Sequence, residues 1–155
     1  LGQLTASKDA QGRITAGVTY DAGGNTDTVT DALGTVTDND HDPLGRLTRT
    51  LQDVAGVKAE TKFQYDALDQ LTQVTDPKGL DTKYEYDGLG NLTKLTSPDT
   101  GVTTYTYDAA GNRLTQKDAR NKTTTYTYDA LNRLKTVGYA ATSLNVTYTY
   151  DTVQA

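Results

Sequence analysis

The chain has 155 residues, a formal net charge of −5, no cysteine and one histidine. These counts exclude a disulfide framework, a thiolate metal site and a histidine-rich metal site. Leu, Ile, Val and Phe together make up only 28 residues, whereas Thr contributes 30 and Tyr 11. Because Thr and Tyr favour strands, this composition predicts a β protein with little aliphatic core rather than a disordered chain.

Tyr-Asp pairs recur along the whole sequence, and a decayed copy, His41-Asp42, lies between the first two. The successive spacings are 21, 24, 21, 21, 21 and 22 residues. A fixed period of this length is typical of a repeat array. We therefore predict one array over residues 1–155, with about seven units and no separate second domain. The pairs are Tyr20-Asp21, Tyr65-Asp66, Tyr86-Asp87, Tyr107-Asp108, Tyr128-Asp129 and Tyr150-Asp151.

Each unit is predicted to be a β-hairpin followed by a link to the next hairpin. "KYEYD" at Lys83 alternates aromatic and polar residues, which is the pattern of a strand. "DGLGN" at Asp87 supplies turn residues, and "LTKLT" at Leu92 is a second short strand. A second turn follows, such as "DPKG" at Asp76 or "SPDTG" at Ser97. Helix patterns are nearly absent, so the predicted fold class is all-β.

Two features do not fit an ideal hairpin. Leu71 and Val74 are three residues apart, as are Leu92 and Leu95, so ideal strands would point them to opposite faces; we predict a bulge. Arg113 stands where neighbouring units have Leu, and the sequence alone offers no physical reason for it.

Equal 21-residue steps should return the chain to the same place on the sheet, so we predict two tyrosine ladders. One contains Tyr84, Tyr105, Tyr126 and Tyr148, and the other contains Tyr86, Tyr107, Tyr128 and Tyr150.

Charge is distributed unevenly along the chain. Residues 1–45 carry 2 basic and 7 acidic side chains, whereas residues 113–155 carry 6 basic and 3 acidic ones. A local basic patch is one interpretation of the second group, but solvated strand faces are the favoured one, and we predict no nucleic-acid partner. The basic residues are Arg113, Lys117, Arg120, Lys122, Arg133 and Lys135. No stretch of 18 apolar residues is present, so no membrane span is predicted.

We predict no catalytic, cofactor-binding or metal-binding residues. His41 replaces the second Tyr of an aromatic pair, so we interpret it as a decayed repeat position rather than a base or ligand. Most Asp residues recur at turns, which turn formation alone would produce. Asp38, Asp40 and Asp42 in "DNDHD" could bind a hard cation, but they lack the ordered spacing and Gly of a calcium loop.

The recurring Y-x-Y-D pattern, followed by a turn, by L-T-x-[VL]-T and by a D-P-x-G turn, resembles the YD repeat of the Rhs family. That family includes bacterial Rhs and polymorphic toxins, toxin-complex C proteins, wall-associated bacterial proteins and animal teneurins. The resemblance covers nearly the whole chain and is weakest from Asp21 to Phe63. It implies a long curved antiparallel sheet that winds in a spiral into a hollow shell, which in the toxins encloses a C-terminal effector.

The resemblance also implies partners and a location. We expect a structural shell segment whose partners are adjacent repeats and a C-terminal effector, in a secreted or cell-surface bacterial protein with a dedicated delivery system. Toxin members carry an aspartyl self-protease with D-P-x-G motifs, but "DPLG" at Asp42 and "DPKG" at Asp76 occupy ordinary turn positions. The alternative is a surface adhesion or carbohydrate-binding module, because exposed Tyr faces can stack on sugar rings.

Both ends of the chain read as partial units, which is typical of a segment of a longer array. The terminal stretches "LTASKD" and "VTYTYDTVQA" carry few charges and no Pro. Unpaired strand edges of this kind favour pairing with other chains. We therefore predict edge-to-edge self-association.

Overall fold

This computed structural model of the protein describes residues 2–151. The chain divides into two compact units, Leu1–Asp81 and Thr82–Ala155. In each unit the strand order in the sheet is the order along the chain, and neighbouring strands run antiparallel. The predicted all-β fold of tandem antiparallel hairpins is confirmed.

The described strands are short and regularly spaced. The first unit contains β1 (Ala6–Lys8), β2 (Ile14–Tyr20), β3 (Thr26–Asp31), β4 (Val36–His41), β5 (Leu47–Gln52), β6 (Ala59–Tyr65) and β7 (Leu71–Thr75). The second begins within β8 (Asp81–Tyr86) and continues with β9 (Leu92–Ser97), β10 (Gly101–Tyr107), β11 (Arg113–Lys117), β12 (Thr123–Tyr128), β13 (Leu134–Gly138) and β14 (Val146–Thr147). A 3₁₀ turn at Thr142–Leu144 precedes β14.

Very little of the sheet is buried. Val137 and Thr103 are the buried side chains among residues 2–151. The accessible surface is 10634 Å², whereas a globular monomer of this mass exposes roughly 7,600 Å². In β12 the Thr residues at alternate positions are more exposed than Tyr126 and Tyr128. Stability therefore comes mainly from contacts between neighbouring strands, as in other repeat proteins.

Register shifts in the hairpins explain the spacing of the leucines. Tyr84 pairs with Leu95 and Tyr86 with Leu92, which leaves Thr93 as an extra residue. The bulge brings both leucines to the face that carries both tyrosines, because side chains of paired residues point the same way. The hydroxyl of Thr93 donates a 3.1 Å hydrogen bond to a carbonyl oxygen of the opposite strand. The predicted bulge is confirmed, and equivalent shifts occur at β5, β7, β11 and β13.

Candidate functional site

One type of aspartate turn closes hairpins in both units. Asp108 Oδ1 accepts hydrogen bonds from the N–H groups of Ala110 at 2.9 Å and Asn112 at 2.8 Å. Gly111 donates its N–H to the carbonyl oxygen of Asp108 and has a φ of +83°, a left-handed conformation that glycine adopts at little cost. The side chain thus fixes the turn from within. Oδ1 plays the same part at Asp9, Asp31, Asp42, Asp66, Asp76, Asp87, Asp118 and Asp129.

The aspartate turn also occurs in several of the turns that link one hairpin to the next. At Asp31, Asp76 and Asp118, in these link turns, the carboxylate makes the same two bonds. The missed signal was an Asp followed three residues later by Gly or Asn. The structural period is therefore about half of the 21-residue sequence period.

At Asp87 and Asp108 these bonds favour the ionised form of the carboxyl group. At Asp108, hydrogen bonds from the side chain and then the backbone of Asn112 hold the pKa of the carboxyl below its usual value of 3.8. Asn91 acts in the same way on Asp87. Carboxylates held like this are fixed acceptors and are poorly suited to exchange protons near neutral pH.

A tyrosine that directly precedes a turn aspartate joins its hairpin to the preceding one. Tyr107 donates its hydroxyl to the carbonyl oxygen of Leu92 at 2.9 Å, and Tyr128 donates to that of Arg113 at 3.0 Å. In both cases the acceptor is the first residue of the preceding strand. We call this bond the tyrosine bridge. It also occurs from Tyr20 to Leu4, from Tyr65 to Leu47 and from Tyr150 to Leu134.

The bridge lies where the backbone ladder between two hairpins stops. Pairing of β10 with β9 runs from Gly101↔Ser97 to Thr104↔Lys94, so Leu92 has no ladder partner in β10. The Tyr107 hydroxyl supplies a donor for that carbonyl group. A buried or half-buried carbonyl without a partner is costly, so the bridge stabilises the open part of the junction.

Part of the prediction of two tyrosine ladders is confirmed. Tyr107, Tyr128 and Tyr150 occupy equivalent places, since they donate to the carbonyl oxygens of the first residues of β9, β11 and β13, respectively. Stacking between successive rings stays a prediction.

Arg113 lies between two tyrosines of the other predicted ladder. Its guanidinium carbon is 4.5 Å from the ring centre of Tyr126 and 5.8 Å from that of Tyr105. Such cation–π contacts contribute about 0.5–1 kcal/mol at exposed sites. Arg113 therefore replaces a leucine because it packs against two aromatic rings.

Arginines at the ends of turns make similar contacts with residues of the next repeat. Arg46 donates to Asp42 Oδ2 and Asp69 Oδ1, each at 2.7 Å, and lies 4.9 Å from the Tyr65 ring centre. Arg133 lies 4.2 Å from the Tyr150 ring centre. Adjacent turns are thus linked by side chains as well as by the sheet.

The carboxylates of Asp38, Asp40 and Asp42, considered above as a possible cation site, form ion pairs with arginines. Arg49 donates to Asp38 Oδ2 and to Asp40 Oδ2 at 2.5 Å each, and Asp42 is paired with Arg46. Within residues 2–151 no group of three His, Cys, Asp or Glu side chains is arranged to hold a metal ion.

Both D-P-x-G segments are aspartate turns. Asp42 Oδ1 accepts from the N–H groups of Leu44 and Arg46, and Gly45 has a φ of +79°. Asp76 makes the equivalent bonds. Their carboxylates are placed as turn acceptors.

Three of the six basic residues near the C-terminal end are engaged locally. Arg120 donates to Asp118 Oδ2 through Nε and Nη2, Arg133 donates to Asp129, and Arg113 packs on tyrosines. This arrangement agrees with the favoured interpretation of solvated strand faces more than with one continuous basic patch.

A half-open cavity of about 610 Å³ lies in the second unit. Its lining includes the exposed side chains of Tyr139 and Leu144 together with Gln116, Lys122 and Thr124. A bond from the N–H of Tyr139 to Asn145 Oδ1, at 2.8 Å, holds the loop around the cavity. The lining combines an aromatic ring with amide, hydroxyl and ammonium groups.

The RHS repeat family matches the sequence in four overlapping segments, residues 41–82, 65–102, 86–122 and 107–144. Together these segments cover more than half of the chain. The chain belongs to the RHS repeat family. The segments begin at His41, Tyr65, Tyr86 and Tyr107, each of which directly precedes a turn aspartate.

A similar fold occurs in solved structures. A crystal structure of TcdB2-TccC3 superposes with a TM-score of 0.73 at 22% identity, covering 90% of this chain and 9% of that chain. A crystal structure of TcdB2-TccC3 without its hypervariable C-terminal region gives a TM-score of 0.50 at 20% identity, covering 85% and 9%. This chain therefore corresponds to a small part of those proteins, and the likeness shows the fold.

No curated protein matches this RHS repeat chain. Among residues 2–151, no helix is long and apolar enough to span a membrane.

Proposed function

We propose that this chain is a non-catalytic wall segment of an Rhs β-shell that encloses a C-terminal toxin effector for delivery to target cells. The observation that carries the proposal is the tyrosine bridge, which joins successive hairpins without a hydrophobic core. Membership of the RHS repeat family supports it. So does the fold shared with TcdB2-TccC3, for which a structure without a hypervariable C-terminal region exists.

A wall must hold its shape while both faces stay accessible. Only Val137 and Thr103 are buried among the described residues, so the sheet is not built to close on a dry interior. Instead, aspartate turns fix the edges and tyrosine bridges join the strands between them. A sheet of this kind can line a space that its own side chains do not fill.

The described residues also support a passive role. The turn aspartates are committed as acceptors of two backbone N–H bonds, as at Asp108. Arg49 forms ion pairs with both Asp38 and Asp40. We propose on this basis that the segment has no turnover and does not cleave itself. We further propose that the parent protein is bacterial and is exported or displayed at the cell surface.

Limited proteolysis of the full-length protein tests the proposal. An enclosed effector should resist protease while the shell is intact. The double variant Tyr107→Phe and Tyr128→Phe should make the effector cleavable at lower protease concentration, since both bridges are lost. Tyr139→Phe is the matched control, because that ring is exposed and makes no bridge. Equal protection of the effector in all three proteins, or none in the parent, would contradict the wall function.

The cavity beside Tyr139 favours a second candidate, an adhesion module that binds carbohydrate. An exposed ring can stack on a sugar face, and Gln116, Thr124 and Lys122 offer hydrogen bonds. Screening of this chain against a glycan array, with Tyr139→Ala as the comparison, distinguishes the two. Binding that disappears in the variant supports adhesion, whereas no binding by either protein leaves the wall function as the better account.

A further inference from the structure

Residues 139–145, between β13 and β14, form a link unlike the aspartate turn at Asp118, because they contain no Asp. The 3₁₀ turn of this link has no buried residue. Tyr139 is 41% exposed and Leu144 is 62% exposed, so the link presents an aromatic and an aliphatic side chain to solvent. Loops positioned by a rigid scaffold are where binding residues concentrate. The link is therefore a candidate wall of a binding site.

A second cavity adjoins the one beside Tyr139. It has a volume of about 350 Å³, and the side chains of Asp118 and Arg120 line both cavities. Small-molecule sites usually have volumes of about 300–1,000 Å³, and each cavity lies within that range. Together they offer room for a ligand longer than a single ring.

Thr103 brings a buried polar group without a partner into the second cavity. Only 9% of this residue is exposed, and its hydroxyl has no hydrogen-bond partner among residues 2–151. Buried hydroxyls normally have a partner, so an exception needs a physical explanation. A ligand with hydroxyl groups would supply both a donor and an acceptor for it.

The charges around the two cavities favour an anionic ligand. Asp118 is the one carboxylate among the lining residues, and both of its oxygens are engaged. Its Oδ1 accepts from the backbone N–H groups of Arg120 and Lys122, and its Oδ2 accepts from Arg120 Nε and Nη2. The Lys122 ammonium group has no ion pair among residues 2–151, and Arg120 keeps the N–H groups of Nη1. The lining thus has two cations and one anion.

Neutral polar groups in the lining indicate a ligand rich in hydroxyls. Gln116 and Thr124 are directly opposite each other in the pairing of β11 with β12, so their amide and hydroxyl groups are neighbours on one face. Both line the cavity beside Tyr139. A polyphosphate chain would be better served by a longer row of cations.

We infer that the two adjoining cavities bind an anionic glycan, a chain of sugar units that carry carboxylate or sulfate groups. The Tyr139 ring packs against a sugar face, Lys122 and Arg120 pair with an acidic group, and the Thr103 hydroxyl bonds to a sugar hydroxyl. The inference rests on the second candidate function, adhesion, and names the ligand class of that site.

Calorimetric titration with a galacturonate hexasaccharide tests the need for charge. Its methyl ester is the matched probe, because it keeps the rings and hydroxyl groups and loses the carboxylates. The acid should bind about tenfold more tightly than the ester at low salt, and added salt should weaken its binding. A heparin hexasaccharide that binds more tightly still would support the inference and assign sulfate as the acidic group.

The outcomes separate this inference from adhesion itself. Equal affinity for acid and ester would overturn the anionic ligand and leave adhesion standing. No binding to any sugar, in the titration or on the glycan array, would contradict both. A single-stranded oligonucleotide that binds as tightly as the acidic sugar would also overturn the inference, because the site would then recognise charge alone.

Substitutions locate the site. Thr103→Val keeps the shape and removes the hydroxyl, so it should weaken binding of the acidic sugar about fivefold. It should not lower the urea midpoint of the free chain, since the hydroxyl makes no bond there. Lys122→Gln should weaken binding about tenfold. Lys135→Gln, the same change at a lysine that lines neither cavity, should alter affinity by less than about twofold. Wild-type affinity in Thr103→Val and Lys122→Gln, or an equal loss in Lys135→Gln, would show that the site is wrong.

Discussion

The hydroxyl of Tyr107 donates a 2.9 Å hydrogen bond to the carbonyl oxygen of Leu92, 15 residues earlier in the chain. Leu92 is the first residue of β9, beyond the end of its ladder with β10. The side chain therefore adds a hydrogen bond between the two strands beyond the point where their backbone pairing ends. This relationship explains why a tyrosine, rather than any other aromatic residue, precedes the turn aspartate.

Removal of the hydroxyl should weaken one junction at a time. Tyr107→Phe and Tyr128→Phe should each lower the free energy of unfolding by about 1 kcal/mol, the usual contribution of such a bond. Urea denaturation at neutral pH measures the change. Tyr139→Phe, at an exposed ring, should change stability by less than about 0.5 kcal/mol. If all three variants behave alike, the bridges do not stabilise the sheet.

Much of the fold was predictable because the sequence pattern and the backbone geometry share a period. The alternation in "KYEYD" identifies a strand, and the three-residue step from Leu92 to Leu95 indicates the bulge that the structure has at Thr93. The bridge itself was not predictable. It depends on where the ladder between β9 and β10 ends, and no residue pattern within one unit encodes that position.

Arg113 illustrates the same limit. From the sequence it is a leucine position occupied by a charge, whereas in the structure it contacts Tyr105 on one strand and Tyr126 on another. Those rings are brought together by the register between strands. The half-unit period was predictable in principle from Asp118 and Asn121, which repeat the spacing of Asp108 and Gly111.

Substitution at Arg113 should separate packing from charge. Arg113→Ala should cost about 1–2 kcal/mol, because two cation–π contacts are lost together with the packing of the side-chain stem. Arg113→Leu should recover most of this loss, since Leu92 and Leu134 occupy the matching positions. Thermal and urea unfolding measure both variants. A leucine variant as unstable as the alanine variant would contradict this explanation.

Two glycines provide a matched test of turn conformation. Gly79 has a φ of +79°, whereas Gly88 does not have a left-handed φ, and an added Cβ would meet nothing within 4 Å at either site. Gly79→Ala should therefore cost about 1–2 kcal/mol from backbone strain alone. Gly88→Ala should be neutral or slightly stabilising. Gly79→Asn should cost less than alanine, because Asn121 and Asn132 adopt the same conformation.

Low pH should destabilise the array by protonating turn aspartates. The pKa of the Asp108 carboxyl lies below its usual value because Asn112 donates hydrogen bonds to the charged form. The stability from such a group is fully present above the pKa of the unfolded chain, about 4, and is lost as the pH falls through the lower pKa of the folded chain. Urea midpoints should therefore be steady from pH 7 to 5 and fall below pH 4. Asp108→Asn should reduce the steepness of that fall, and an unchanged slope would contradict the assignment.

The outer strands should pair with other copies of the chain. β1 (Ala6–Lys8) and β14 (Val146–Thr147) each have a neighbouring strand on one side only. Residues 152–155, which end the stretch "VTYTYDTVQA", lie outside the described residues. An unpaired edge with few charges exposes N–H and C=O groups to a second chain. Because residues 1–45 are acidic and residues 113–155 basic, unlike ends should attract each other, and salt should weaken the contact. We expect sedimentation to show concentration-dependent association that decreases in high salt and in Val146→Lys, which puts a charge on the edge. A monomer at every concentration and salt level would rule out this pairing.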